Sequence, residues 1–263
     1  VRRIVSMAPN LTEIVWALGA GDRIVGVSDF DRWPPEVQQL PRVGGYFNPD
    51  QEAIIRLEPD CVLMLAARSD IGRKIESLGI PVRSYSCESL ADVYTVISEL
   101  GDFLGEETRA NHLIASMRAD LSKLHSTHTS PPPVLICIGM TTGTLQNLYV
   151  AGGGSYLSDV LEILGYRNVF RDVEQAYFPV SKETLIAARP EVILDIVAGQ
   201  ELTEDRIRDH RETWRLLPSL PAVRTDTIII LNQDFLLIPG PRIVETARVF
   251  AREIPVRAGA LDR

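Results

Sequence analysis

Two glutamates, Glu52 and Glu183, stand at the same place in a stretch that the chain carries twice. Tyr46-Phe47-Asn48-Pro49-Asp50-Gln51-Glu52 leads on to Pro59-Asp60, and Tyr177-Phe178-Pro179-Val180-Ser181-Lys182-Glu183 leads on to Pro190-Glu191, and the copies align without a gap. Each copy joins an aromatic pair to a helix-capping residue, Asp50 or Ser181, then an acid, a short apolar helix, a proline stop and a strand-like run. Those runs are Cys61-Val62-Leu63-Met64-Leu65 and Val192-Ile193-Leu194-Asp195-Ile196. A glutamate in a first helical turn meets the positive end of the helix dipole, which accounts for either acid alone at a few tenths to about 1 kcal/mol. At about 100° per residue Ile54 falls nearly opposite Glu52, and Leu185 nearly opposite Glu183. Burying the apolar side therefore turns both acids to water. Matched acids on two lobes, each with an aromatic pair on its inner side, are the arrangement expected of a chain that holds a ligand between its lobes and docks both acids on a two-fold partner.

The elements that must position these residues follow from the bounds on the chain. It has 263 residues, enough for two compact units, and an internal repeat favours two lobes. The composition, 45% hydrophobic and 24% charged, is that of an ordinary globular protein. A formal net charge of -8 argues against nucleic acid as a partner, and no apolar run approaches the ~20 residues of a membrane span. The first residues read as a strand, Arg3-Ile4-Val5-Ser6, rather than a signal peptide, which fits a cytosolic chain and a mature exported one alike. Cys61, Cys87 and Cys137 lie in or after apolar runs and read as buried free thiols.

Asn10 with Glu13 forms a capping box for a helix through Leu18, stopped by Gly19. The stiff loop Phe30-Asp31-Arg32-Trp33-Pro34-Pro35 holds its aromatics either as packing plugs or as ligand walls, and Pro34-Pro35 is placed to start a short helix. Leu90, Val93, Ile97, Leu100 and Leu104 mark one amphipathic helix, and Ala110, Leu113, Ile114, Met117, Leu121 and Leu124 a longer one. The expected fold is therefore α/β. Two similar lobes, each with a mainly parallel central sheet, occupy residues 1–104 and 131–263, and a backbone helix and connector, residues 105–130, join them around a ligand cleft. In the second lobe Gly152-Gly153-Gly154-Ser155 reads as a tight turn brushing a ligand, and Asp234 follows the strand Thr227 to Leu231, where α/β folds place ligand groups. His125 and His128 read as exposed connector residues, and His112 and His210 as isolated positions within helices, so no metal site is expected. There is no GxSxG, HExxH or nucleotide loop, which lowers the odds of an enzyme.

Val5 to Asn10, Trp33-Pro34-Pro35, Val43-Gly44-Gly45, Glu52 to Asp60, Val150-Ala151-Gly152, Ser181 to Pro190 and Pro239 to Arg242 together resemble the periplasmic substrate-binding proteins of ABC importers. The class is the one with a rigid helical backbone, which serves cobalamin, haem and ferric siderophores, and the loops are most similar to its cobalamin (vitamin B12) binders. The resemblance covers essentially the whole chain. It implies capture and delivery of a large metal chelate, cobalamin or another corrinoid, without enzymatic turnover or a resident cofactor, by an extracytoplasmic monomer that is free or lipid-anchored. By motif, Glu52 and Glu183 would pair with arginines on a two-fold permease. By position, Asn10, Phe30, Tyr46, Tyr177 and Asp234 would line the cleft. Trp33 and Phe47 join them from the same loops, and Arg68 from just beyond the first repeat's strand. One departure keeps other ligands open. The cobalamin binders carry tryptophans where this chain has Tyr46 and Tyr177, and a phenolate can ligate iron, so haem and ferric siderophores stand as alternatives. A two-lobed α/β enzyme acting on a tetrapyrrole or metal cluster is the rival of another class.

Overall fold

In the computed structural model, residues 1–66, 69–126 and 130–255 are described, and the chain divides into two compact units. Residues 1–87 and 91–118 form the first unit, and residues 88–90 with 119–263 form the second.

The first unit is built on a parallel sheet of four short strands, β1 (Ile4–Ser6), β2 (Ile24–Val27), β3 (Cys61–Leu65) and β4 (Val82–Tyr85), in the order β2-β1-β3-β4. The inner strands β1 and β3 are apolar and buried nearly throughout, as strands covered on both faces must be. Helices α1 (Pro9–Ala17), α2 (Gln51–Arg56) and α3 (Ser69–Ser77) follow β1, the repeat loop and β3. Val5, Met7, Ile54, Val62, Ile71 and Ile75 interlock strand and helix side chains into one core. The expected capping box is corrected here. Helix α1 starts at Pro9 behind Ala8, with no side-chain cap, and Asn10 lies inside its first turn. Proline at the first helical position removes a donor that a cap would otherwise serve. Gly19 ends the helix at φ +77°, a conformation that needs glycine.

Helices α4 (Leu90–Leu104) and α5 (Glu107–Lys123) carry the expected periodicity. Val93, Ile97, Leu100 and Leu104 of α4 and Ala110, Met117 and Leu121 of α5 are buried. At 17 residues α5 is about 25 Å long. No helix among the described residues is long and apolar enough to cross a membrane.

In the second unit β5 (Pro133–Thr141), β9 (Val192–Ile196) and β10 (Ile228–Leu231) run parallel, but β6 (Gln146–Ala151) pairs antiparallel with both β5 and β8 (Tyr177–Pro179), while β7 (Arg167–Asn168) adds to β5. The path β10-β9-β5-β6-β8 is therefore mixed. The hairpin of β5 and β6 turns in the polar Thr142-Gly143-Thr144 stretch, with Gly143 at φ +84°. Helices α6 (Tyr156–Ile163), α7 (Lys182–Ala188), α8 (Glu204–Arg215), α9 (Pro221–Arg224) and α10 (Ile243–Glu253) complete the unit. Cys61, Cys87 and Cys137 are free and buried, as expected.

Candidate functional site

The repeat is a structural repeat. In the first copy the Ala53 N–H donates to Asp50 Oδ1 at 2.9 Å, and in the second the Thr184 N–H donates to the Ser181 hydroxyl at 3.2 Å, at matched positions. Ile54 and Leu185 are fully buried, while Glu52 and Glu183 are exposed. The match continues beyond the helices. Glu58 and Arg189, each followed by proline, take the left-handed conformation at φ 43° and 50°. That conformation costs a side chain roughly 1–2 kcal/mol, and the proline that follows excludes continuing the helix. The Glu183 carboxyl is held below the usual carboxylate range by its own backbone N–H and then by the Ser181 hydroxyl.

The first unit brings aromatic residues together. Phe30 lies against Gly45, where an added Cβ would come 3.2 Å from its ring and 2.9 Å from Asn48 Oδ1. Tyr46 and Phe47 follow, edge to face with centroids 5.4 Å apart. Phe30 is 58% exposed, Trp33 46% and Phe47 71%, while Tyr46 is half-buried with its hydroxyl 3.4 Å from the Leu65 carbonyl. The turn that carries Phe30 is braced by the buried Ser28 and Asp31 and by Arg42. Asp31 Oδ2 accepts from the Ser28 N–H at 2.9 Å and from the Ser28 hydroxyl, and the Arg42 guanidinium donates to the Ser28 and Asp31 carbonyls at 2.7 and 2.8 Å. Burial pushes the Asp31 carboxyl up, against those bonds and the nearby Arg42 charge. These bonds hold the backbone of residues 28–31, which carries the exposed Phe30 ring.

Asn10 is 3% exposed, in the first turn of α1. It stands beside the Cys87 thiol, which burial pushes up to about 12 although the Asn10 bond pulls it the other way. Arg68 lies outside the described residues, as does His128.

In the second unit the expected residues are set apart. Tyr177 starts β8 and Asp234 follows β10, the two ends of the five-strand path, roughly 20 Å apart across four strand spacings. Asp234 is held by Arg242 at 3.3 Å, and Arg242 also lies over the Phe235 ring, 5.4 Å from its centroid. The buried Tyr156 hydroxyl anchors this loop by donating to the Leu236 carbonyl at 2.6 Å. The glycine run is a crossing point rather than an anion cradle. A Cβ on Gly152, Gly153 or Gly154 would strike the carbonyls of Gln175, Arg171 and Glu174, and the Gly152 and Gly153 N–H groups are taken by Ala176, Phe170 and Val173.

His210 is not isolated, which corrects the sequence reading. Its Nδ1 lies 2.8 Å from Asp195 Oδ2, which also accepts from the Trp214 indole at 2.8 Å. His210 and Trp214 sit one turn apart on α8, over a strand whose apolar pattern hides the acid. An aspartate inside an otherwise aliphatic strand, with histidine and tryptophan four residues apart downstream, is the signal that would have found them. A hollow of about 390 Å³ opens beside this trio, with Arg206, Asp209 and Gln200 among its walls. Among the described residues no three histidine, cysteine or acidic side chains gather to hold a metal ion.

The sequence model of a family described as periplasmic binding protein matches residues 4–235. A vitamin B12-binding protein of Vibrio parahaemolyticus is 27% identical over 92% of this chain and 85% of its own length. An uncharacterized ABC transporter substrate-binding lipoprotein of Bacillus subtilis is 26% identical over 96% of this chain and 80% of its own. The crystal structure of a periplasmic heme-binding protein from Pseudomonas aeruginosa superposes with a TM-score of 0.82 at 25% identity, covering 99% of this chain and 95% of the other.

Proposed function

We propose that this chain, which belongs to the periplasmic binding protein family, captures a large, flat metal chelate outside the cytoplasm and hands it to an ABC permease. Cobalamin or another corrinoid is the ligand that fits best. The observation that carries the reading is the group of exposed rings Phe30, Trp33 and Phe47 with the half-buried Tyr46, Phe30 standing on the hydrogen-bonded Ser28–Asp31 turn. Aromatic faces on a fixed loop favour a wide apolar disc. Binding involves no covalent step and no resident cofactor. Roughly nanomolar capture corresponds to about 12 kcal/mol, within reach of a few ring contacts and hydrogen bonds on a preorganised surface. Glu52 and Glu183, capped alike and exposed alike, dock on the two halves of the permease. A single exposed ion pair contributes only about 0–1 kcal/mol, so the docking depends on both acids acting together.

Haem or a ferric siderophore is the second reading, favoured by the phenols of Tyr46 and Tyr177. Titrating the protein with cyanocobalamin, haemin and a ferric siderophore, followed by fluorescence quenching and visible absorption, separates the two. Tight one-to-one corrinoid binding with little spectral change is expected. Binding of haemin alone, with a tyrosinate charge-transfer band, would overturn the corrinoid assignment.

A further inference from the structure

We propose that the hollow between α8 and the C-terminal ends of β5 and β9 is a subsite for an uncharged, amide-bearing arm of the ligand, with His210 as the group that reads it. The inference rests on the capture reading above. The hollow lies at the C-terminal edge of the parallel strands, the edge at which α/β sheets take ligands, and Leu237 ties it to the Asp234 loop. At about 390 Å³ it is near the small end of ligand sites, suited to part of a large chelate rather than the whole.

Its chemistry follows from the buried trio. Asp195 is 1% exposed, and its Oδ2 takes both the Trp214 indole N–H and His210. An indole only donates and a carboxylate only accepts, so the His210 bond uses an Nδ1–H and leaves Nε2 as the free ring nitrogen. His210 is 12% exposed, lines the hollow, and among the described residues has no other polar partner. A neutral imidazole held this way offers a lone pair to an N–H donor. The charges agree. Arg206 and Asp209 both line the hollow, and His210 is offset by Asp195, so the lining carries no net positive charge in either state of the imidazole. A carboxylate entering it would shed water in a lining whose acids already match its cations, whereas a primary amide donates to Nε2 and accepts from Arg206 or Gln200.

The test compares cyanocobalamin with its monocarboxylic acids, each with one amide hydrolysed, on the full chain. The wild type is expected to bind at least one of the acids about tenfold more weakly than the parent. His210→Ala is expected to bind parent and acids within about threefold of one another. Arg206→Ala, an exposed change that keeps the fold, is expected to widen the discrimination, because it leaves Asp209 unopposed; this variant serves even if His210→Ala fails to fold. Equal binding of parent and all acids by the wild type, discrimination unchanged in His210→Ala, or discrimination narrowed in Arg206→Ala would each overturn the subsite alone. Failure of the wild type to bind cyanocobalamin while it binds haemin would instead remove the corrinoid reading and the amide subsite with it.

Discussion

The two copies of the repeat agree wherever the backbone needs them to and part company where side chains are free to do something else. Both have a capped first turn, a buried apolar residue two places after the glutamate, a left-handed residue before a proline and a strand flanked on both sides. Yet Phe47 is 71% exposed while its counterpart Phe178 is half-buried edge to face with Phe170, centroids 5.3 Å apart. Met64, fully buried in β3, is answered in β9 by Asp195. The first unit thus offers rings, and the second offers buried and paired polar groups. The same backbone frame therefore carries an exposed ring and a buried thioether in one copy, and a packed ring and a buried carboxylate in the other.

If the shared part of the comparison is the docking device, removing it from both copies must have the largest effect. Glu52→Ala with Glu183→Ala is expected to reduce ligand uptake in reconstituted vesicles to background while leaving the solution Kd unchanged. Either single change is expected to leave partial uptake. Weakened ligand binding in the double variant would place the acids at the ligand and break the equivalence of the copies.

The divergent strand position comes next. Asp195→Ala strips His210 and Trp214 of their acceptor at once, and the loss of a buried, doubly bonded carboxylate is expected to cost about 3–5 kcal/mol in urea unfolding. Met64→Leu, a volume-conserving change at the equivalent place, is expected to cost less than about 1.5 kcal/mol. Similar losses at both sites would mean that the polar trio adds nothing to what an aliphatic strand provides.

The aromatic counterparts divide stability from binding. Phe178→Ala is expected to cost about 2 kcal/mol of stability, less than the roughly 3–5 kcal/mol of a fully buried aromatic truncation because the ring is only half-buried. Phe47→Ala is expected to leave stability within about 0.5 kcal/mol and to weaken the chelate by about five- to tenfold, the worth of one ring contact. Thermal melts and fluorescence titrations on the same preparations read both. A loss of stability in Phe47→Ala would make its exposure irrelevant and turn the ring into a packing plug.

The frame was legible in the sequence because it repeats: cap, acid, buried aliphatic and proline stop recur in register, and the structure adds only the left-handed Glu58 and Arg189. Helices α4 and α5 were legible for the same reason, since an apolar residue every three or four places leaves no other solution. The hidden parts are those where spacing carries no signal. Asp195 sits in a run that reads as aliphatic, and His210 looks isolated because its partner is 15 residues away on a different element. Asn10 with Glu13 imitates a capping box, but Pro9 has already begun the helix. Strands β6 and β8 were obscured by turn residues whose partners lie across the sheet rather than along the chain.

The smallest effect tests the caps themselves. Asp50→Ala and Ser181→Ala should each cost about 1 kcal/mol, since each removes the acceptor for one first-turn N–H. In the second copy the Ser181 hydroxyl also supports the Glu183 carboxylate, whose pKa is depressed below its ordinary 4.5 by its own N–H first and by Ser181 second. A carboxyl with a depressed folded-state pKa adds stability above its unfolded value, and that stability is lost as the pH falls through the folded one. Wild type and Glu183→Gln are therefore expected to differ in urea midpoint at pH 7 and to converge as the pH drops below 4.5. A difference that persisted unchanged into acid would mean that the ionised carboxylate is not what the first turn binds, and the second copy would then be capped by Ser181 alone, as the first is by Asp50.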